Sequence, residues 1–235
     1  MTFSALQCKT KEDFNDNLKR VKKLVQRSGD IAVAPEVVMT GFAYDRFDEA
    51  ADFGKKALEE MLPLSKNRVV CYTQIEKIDG KFYNIANVLY KEEVVYRQPK
   101  IKLFKFGGET GYFTPGKMDD MKIFEIEGLK FGLLICFELR FLEIWQRLRG
   151  SDIILLPAMW GKARKRHFEQ LSQALAVMNQ CFVIASDSAN EDMAKSSAII
   201  SPFGEVYADD RKSLLTKEVD LEDIKKMRRY MDIGL

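Results

Sequence analysis

Residues 130–145 read KFGLLICFELRFLEIW, an apolar run followed by a segment with helical spacing. The run predicts a buried strand over residues 129–135, and the spacing predicts a helix over residues 140–149. Cys136 therefore stands where a strand gives way to a helix. Ligands of open α/β sheets bind at the carboxyl ends of strands, and the N–H groups of a following helix lower the pKa of a thiol. This position suits a nucleophile, but an inert core thiol fits it as well.

Strands and helices alternate on both sides of this stretch. The pattern predicts strands at residues 3–8, 31–35, 68–76, 82–91, 94–97, 121–126, 129–135, 152–157, 181–186, 197–201 and 204–208. It predicts helices at residues 11–28, 48–64, 140–149 and 164–178. This order indicates one α/β domain over residues 1–235, a mixed sheet covered by helices. The two halves of the chain have a similar alternation of strands and helices, which allows two stacked sheets.

Composition excludes several classes of protein. The chain of 235 residues is 46% hydrophobic and 31% charged, as globular proteins are, and its formal net charge of +2 indicates no nucleic-acid or membrane partner. No window approaches the roughly 18 apolar residues of a membrane span, and the N-terminal MTFSALQCKT lacks the features of a signal peptide. We expect a cytoplasmic protein.

The residue types present limit the kinds of catalytic and metal site that the chain can form. The four cysteines form no CxxC pair, so we expect free thiols and neither a zinc site nor a disulfide scaffold. Cys8, Cys71 and Cys181 lie inside apolar strands, which favours core packing. The single histidine, His167, lies among basic residues of a predicted helix, where a structural or surface role is expected. No metal cluster of histidines is possible and no glycine-rich nucleotide motif occurs. If Cys136 is a nucleophile, its base is therefore a carboxylate tuned by a lysine.

Two further residues occupy positions that suit such chemistry. Glu36 ends the predicted strand IAVAPE, and Lys100 opens a long loop rich in glycine, proline and lysine. Long ordered loops in compact domains are usually functional. Considered alone, Glu36 would be interpreted as a helix cap or surface residue and Lys100 as a solvated side chain. Their occurrence together with Cys136, in the chain order Glu, Lys, Cys, is the stronger signal.

These residues lie in segments that resemble the nitrilase superfamily of carbon–nitrogen hydrolases. The matching segments are APEVVMTGF (34–42), YRQPKIKLF (96–104), GGETGYFTPG (107–116), GLLICFELRF (132–141), IILLPAMW (153–160), NQCFVIAS (179–186) and SAIISPFGEV (197–206). The resemblance covers nearly the whole chain. It implies a four-layer αββα sandwich of two mixed sheets flanked by helices, no metal or organic cofactor, and a homodimer formed through helical faces.

The resemblance also implies an active site. Glu36 is expected to be the general base, Lys100 the stabilising cation and Cys136 the nucleophile, with Glu109 beside them as a supporting carboxylate. The oxyanion of the reaction is expected to meet Lys100 and the backbone N–H of Phe137. These roles predict the hydrolysis of a non-peptide C–N bond in a small amide through a thioester, with release of ammonia.

The motif CFELRF is closest to the Cys-Tyr-Asp-Leu-Arg-Phe form, which resembles the ω-amidase and deaminated-glutathione amidase groups. Those groups act on small amides that carry a carboxylate. An anionic substrate needs a cation, for which the candidates are Arg140, Lys102, Lys105 and residues 162–166. Trp160 and Phe113 are candidates for apolar pocket walls. Arg140 is also placed to anchor its helix, and both aromatic residues also suit plain core packing.

Some positions depart from the family pattern. Leu142 replaces a frequent proline, Met178 replaces the glutamate of an Arg-Ala-x-Glu-Asn stretch, and Ser201 replaces an aspartate. These changes concern scaffold and dimer contacts more than the three site residues. The alternatives left open are a carbamoyl-amine hydrolase or nitrilase, a thiol redox protein that uses Cys136, and a non-catalytic binding protein on the same fold.

Overall fold

Two mixed β-sheets of six strands each form the centre of the fold in the computed structural model, which describes residues 1–235. The strands are β1 (Thr2–Leu6), β2 (Ile31–Val33), β3 (Val69–Ile78), β4 (Lys81–Tyr90), β5 (Glu93–Pro99), β6 (Phe124–Ile126), β7 (Leu129–Leu133), β8 (Ile153–Pro157), β9 (Phe182–Ser186), β10 (Ala198–Ile200), β11 (Val206–Ala208) and β12 (Leu214–Glu218). The first sheet has the order β12-β1-β2-β3-β4-β5, and the second has the order β11-β10-β9-β8-β7-β6.

Each sheet is built around three parallel strands with antiparallel strands outside them. The parallel strands are β1, β2 and β3 in the first sheet and β7, β8 and β9 in the second. The carboxyl ends of β2 and β8 meet across the sandwich, where the Glu36 N–H donates to the Ala158 carbonyl at 3.1 Å. Chain segments that leave the two sheets therefore share one edge of the molecule.

Five helices cover the outer faces of the sheets: α1 (Phe14–Gln26), α2 (Phe47–Met61), α3 (Leu142–Arg147), α4 (Lys165–Asn179) and α5 (Glu222–Tyr230). Helix α1 buries Leu18, Val21 and Val25, which recur at helical spacing, against the first sheet. Asp13 caps this helix, because its side chain accepts the Asp16 N–H at 2.9 Å. This cap explains why α1 begins after residue 11, where the helix was expected to begin.

The largest apolar core lies between the two sheets and continues under α3 and α4. It contains 39 buried residues, and it includes the edge-to-face pair Phe3 and Phe182, whose ring centroids are 5.3 Å apart. Burial of one such large side chain contributes about 1.5–3 kcal/mol. The αββα architecture expected from the resemblance is confirmed.

The elements differ from the sequence-based expectations at several places. Strand β7 ends at Leu133, and α3 has only six residues, because residues 136–140 form a separate 3₁₀ turn. Strand β12 and helix α5 were not predicted. β12 is a short, mostly exposed edge strand that pairs with β1, more than 200 positions away. None of the helices combines the length and apolar character that a bilayer span requires.

Candidate active site

The four residues expected at the active site lie together at the shared edge of the sheets. Glu36 follows β2, Cys136 follows β7, and Lys100 comes directly after β5. The backbone turns sharply at two of these exits, since Val37 has φ of 40° and Cys136 has φ of 47°. Left-handed conformations of non-glycine residues cost about 1–3 kcal/mol each and cluster at functional sites.

Lys100 lies between two carboxylates. Its Nζ is 2.7 Å from Glu36 Oε1 and 2.7 Å from Glu109 Oε1, and the three side chains are almost fully buried. Burial opposes the charged form of the lysine, but the two carboxylates outweigh it and raise the pKa of Lys100 above its ordinary value. The ammonium therefore carries its charge at every physiological pH.

Each carboxylate is held by further donors. Glu36 Oε1 also accepts from Asn84 Nδ2 at 2.8 Å, and Glu36 Oε2 accepts the Met159 N–H at 3.2 Å. Glu109 Oε2 accepts the Phe104 N–H at 3.0 Å. Burial raises the pKa of Glu109, and the charge of Lys100 partly opposes this increase. The positions of both carboxylates are thus set by backbone groups as well as by the lysine.

Cys136 is a buried, protonated thiol beside these charges. Burial raises the pKa of Cys136 well above its ordinary value, and the negative charge of Glu36 raises it further. The charge of Lys100 and the Met159 N–H lower this pKa, but they only partly offset the increase. The expected lowering by a helix N-terminus is therefore wrong. The 3₁₀ turn over Cys136–Arg140 has five residues, so its dipole is small beside the cost of burying a thiolate. The thiol needs a base, and Glu36 is the charged group that acts most strongly on it.

Glu138 is a buried carboxylate that the sequence analysis did not single out. Its Oε2 accepts the Ile135 N–H at 2.6 Å, and its Oε1 accepts the Ile101 N–H at 2.6 Å. One side chain thus joins the segment that carries Cys136 to the segment that carries Lys100. Burial raises its pKa to about 7 despite these hydrogen bonds. Its place in the CFELRF segment, two positions after Cys136, was the available signal.

Asp187 is a second buried carboxylate, and it is hydrogen-bonded to the segment that carries Trp160. Its Oδ1 accepts the Trp160 N–H at 2.8 Å, and its Oδ2 accepts the Ser196 N–H at 3.3 Å. Burial raises the pKa of Asp187 to about 7. An acidic residue at the end of β9 was the signal in the sequence. No cluster of three or more His, Cys, Asp or Glu side chains has an arrangement that suits a metal ion.

A small pocket opens at the cysteine. It is lined by Phe104, Cys136, Phe137, Met159, Trp160, Gly161 and Arg164. Trp160 lies at the pocket, as expected. The N–H of Phe137 is among the first of its helical turn, and such groups have no partner within the turn. Most of the lining is apolar.

Two expected pocket residues lie elsewhere. Phe113 is buried in an aromatic cluster, with its ring centroid 4.9 Å from that of Phe47, and it does not line the pocket. Arg140 is exposed and lies over the Trp160 ring, with its Nη2 3.0 Å from His167 Nδ1. The physical reason for the second difference is the short 3₁₀ turn, which directs Arg140 toward α4.

Comparison with known proteins places this geometry in a family. A family model described as carbon-nitrogen hydrolase matches residues 2–229. The chain belongs to the carbon–nitrogen hydrolase family. This membership makes it a hydrolase of the amidase type, and the match spans all the segments that carry the site.

Relatives of known sequence extend over most of this carbon–nitrogen hydrolase. The 2-oxoglutaramate amidase of Bacillus subtilis (strain 168) is 27% identical over 236 residues, which covers 93% of the chain and 90% of that protein. The omega-amidase NIT2 of Xenopus tropicalis is 26% identical over 246 residues, with coverage of 94% and 88%.

Solved structures share the fold. Saccharomyces cerevisiae Nit3, described as a member of branch 10 of the nitrilase superfamily, matches with a TM-score of 0.87 at 20% identity, covering 100% of this chain and 95% of that chain. A mutant of the amidase from Nesterenkonia sp. AN1, which shows Michael addition of acrylamide at its active-site cysteine, matches with a TM-score of 0.85 at 16% identity, covering 98% and 97%.

Proposed function

We propose that this enzyme hydrolyses the ω-amide of a small carboxylic acid, such as an α-keto acid amide, through a thioester on Cys136. The observation that carries the proposal is the convergence of Glu36, Lys100 and Glu109 beside Cys136, which itself lines a small pocket. The names of the relatives, 2-oxoglutaramate amidase and omega-amidase, support the substrate class.

Acylation begins with a proton transfer. Glu36 Oε2 accepts the thiol proton of Cys136 as the sulfur attacks the amide carbonyl carbon. The thiol needs this base because burial keeps it protonated at neutral pH. The tetrahedral intermediate then collapses, the C–N bond breaks, and Glu36 delivers the proton to the leaving nitrogen. Ammonia departs and a thioester remains on Cys136.

Two hydrogen-bond donors stabilise the oxyanion. The Lys100 ammonium carries a full positive charge beside the site, and the Phe137 N–H follows the nucleophile in the chain. Loss of one oxyanion donor typically lowers the rate about 10²- to 10³-fold. Glu109 holds the ammonium in place and keeps it charged, because its Oε1 is 2.7 Å from Nζ.

Deacylation uses the same base. Glu36 accepts a proton from a water molecule as the water oxygen attacks the thioester carbonyl carbon. The C–S bond breaks, the proton passes to the sulfur, and the carboxylic acid leaves. Each turnover consumes one amide and one water, and it releases one acid and one ammonia.

A substrate panel tests the proposal. Ammonia release is measured from α-keto acid ω-amides, neutral amides, carbamoyl amines and nitriles, and the ω-amides are expected to have the highest kcat/KM. Preference for a carbamoyl amine or a nitrile would overturn the substrate assignment. No ammonia from any compound, and no acyl adduct on Cys136 by intact mass, would favour a binding protein. Thiol-dependent peroxide consumption would favour a redox protein, although all four cysteines are buried and unpaired.

We also propose a homodimer and a cytoplasmic location. Leu142 on α3 and Met178 on α4 are 67% and 64% exposed, and Val177 on α4 is exposed as well. Phe203 is also exposed and precedes Gly204, which lies against Val177. A helical face with several exposed apolar side chains fits a partner surface. Sedimentation is expected to show a dimer that Leu142→Glu with Met178→Glu dissociates. The four free thiols fit a reducing compartment.

A further inference from the structure

We infer that Arg164 binds the carboxylate of the substrate and thereby selects anionic amides. This inference deepens the proposed function and rests on it. Arg164 belongs to the basic run at residues 162–166, from which the sequence alone did not choose a member. It is a substrate-binding residue in this assignment and takes no part in bond breaking.

Arg164 lines the same pocket as Cys136. Its guanidinium carbon lies 5.2 Å from the centroid of the Phe104 ring, which is also part of the pocket wall. A Cβ added to Gly161 would lie only 2.6 Å from Arg164 Nη2, so the absence of a side chain at Gly161 makes room for the guanidinium. Stacking and this close approach hold the group at the pocket.

The guanidinium is also without an anionic partner. No carboxylate lies within 4.0 Å of it, and its side chain donates no hydrogen bond within the chain. By contrast, Lys102 pairs with Glu143 at 2.9 Å, and Lys165 pairs with Asp210 at 2.7 Å. Arg140 contacts His167 outside the pocket, whereas Lys105, Lys162 and Arg166 are exposed and do not line it.

The chemistry of this group matches a carboxylate. A guanidinium presents five N–H donors in a planar fork that pairs with both oxygens of a carboxylate. The walls beside it, Phe137, Met159 and Trp160, are apolar, and a less polar surrounding strengthens the pairing. Arg164 and Cys136 line one small pocket, so only a short chain separates the carboxylate of the ligand from its amide. The ligand class is therefore a short-chain dicarboxylic acid monoamide.

Two amides of equal length separate recognition of the carboxylate from catalysis. Succinamate carries a carboxylate where butyramide carries a methyl group. In Arg164→Met we expect kcat/KM for succinamate to fall about 100-fold, mainly through KM, while kcat/KM for butyramide stays the same or increases. Arg164→Lys keeps the charge without the fork, so an intermediate value is expected. Arg166→Met removes the same charge from outside the pocket and is expected to change neither substrate. Equal losses for both amides in Arg164→Met would overturn the inference.

A binding measurement tests Arg164 without any hydrolysis. Succinate contains no amide, and it is expected to slow the alkylation of Cys136 by iodoacetamide in the wild type and in Arg166→Met, but not in Arg164→Met. If the wild type fails to hydrolyse succinamate yet succinate protects through Arg164, the proposed function is wrong and the inference stands. If succinate gives no protection to the wild type, or protects Arg164→Met equally, the inference is overturned.

Discussion

Lys100 Nζ lies 2.7 Å from Glu36 Oε1, and because of this contact the two carboxylate oxygens of Glu36 have different partners. Oε1 is held by Lys100 and by Asn84, whereas Oε2 accepts only the Met159 N–H. Oε2 is thus the oxygen with more capacity to accept a proton from the Cys136 thiol. A lysine that fixes one oxygen also sets the direction of the other.

Glu36→Gln is expected to lower turnover by at least 10²-fold, because the amide cannot accept the thiol proton. The same change removes a negative charge that raises the pKa of Cys136, so that pKa is expected to fall. The rate of alkylation by iodoacetamide, measured against pH, should then rise at a lower pH than in the wild type. Glu125→Gln, at an exposed position, serves as the control. An unchanged or more alkaline alkylation profile would contradict the position of Glu36 beside the thiol.

Cys136→Ala is expected to abolish ammonia release while the free energy of unfolding stays within about 1 kcal/mol of the wild type, because a small apolar residue replaces a small thiol. Urea denaturation measures the second quantity. Cys181→Ala is the matched control, since Cys181 is fully buried in the core away from the pocket. That variant should retain turnover. Residual activity in Cys136→Ala would remove Cys136 from the mechanism.

Lys100→Ala and Lys100→Arg are both expected to lower kcat by at least 10²-fold. Alanine leaves Glu36 and Glu109 as buried carboxylates without a cation, which typically costs about 3–5 kcal/mol of stability. Arginine keeps the charge, but its planar fork does not reproduce a point ammonium at 2.7 Å from both oxygens. Steady-state kinetics with a folded Lys100→Arg protein provide the measurement. A higher KM with unchanged kcat would show that Lys100 only binds substrate.

Glu138→Gln is expected to reduce the dependence of stability on pH. The folded-state pKa of about 7 lies above the ordinary value of 4.5, so the native state binds the extra proton between these values. Stability contributed by this group is therefore present below about pH 4.5 and declines as the pH rises to about 7, by about 3 kcal/mol in total. Glutamine does not titrate, so this share of the decline should disappear.

Urea unfolding at pH 5 and pH 8, at one protein concentration, measures the difference for Glu138→Gln. Asp187, whose pKa is also raised to about 7, retains its own contribution in both proteins. The exposed Glu125→Gln control should keep the slope of the wild type. An equal slope in Glu138→Gln would mean that Glu138 titrates near its ordinary pKa in the folded protein.

The sequence by itself determined the strand exits on which Glu36 and Cys136 stand. Alternating runs of apolar and polar residues encode strands and helices locally, and the carboxyl ends of parallel strands meet at one edge of a sheet. The same alternation allowed two stacked sheets, and the resemblance to the nitrilase superfamily implied the four-layer αββα architecture. The resemblance then assigned Lys100 and Glu109 to the same site, and the structure brings all four together.

Only the tertiary structure decided the charge state of the thiol and the membership of the pocket. The pKa of Cys136 depends on burial and on Glu36 and Lys100, which arrive from other strands. Arg164 lines the pocket, whereas Arg140 lies over Trp160 and contacts His167, and this difference depends on the direction of a short 3₁₀ turn. Strand β12 forms by pairing with β1 across the length of the chain. Electrostatic energies, side-chain directions and edge pairing all depend on distances between segments far apart in sequence, and local periodicity carries no information about those distances.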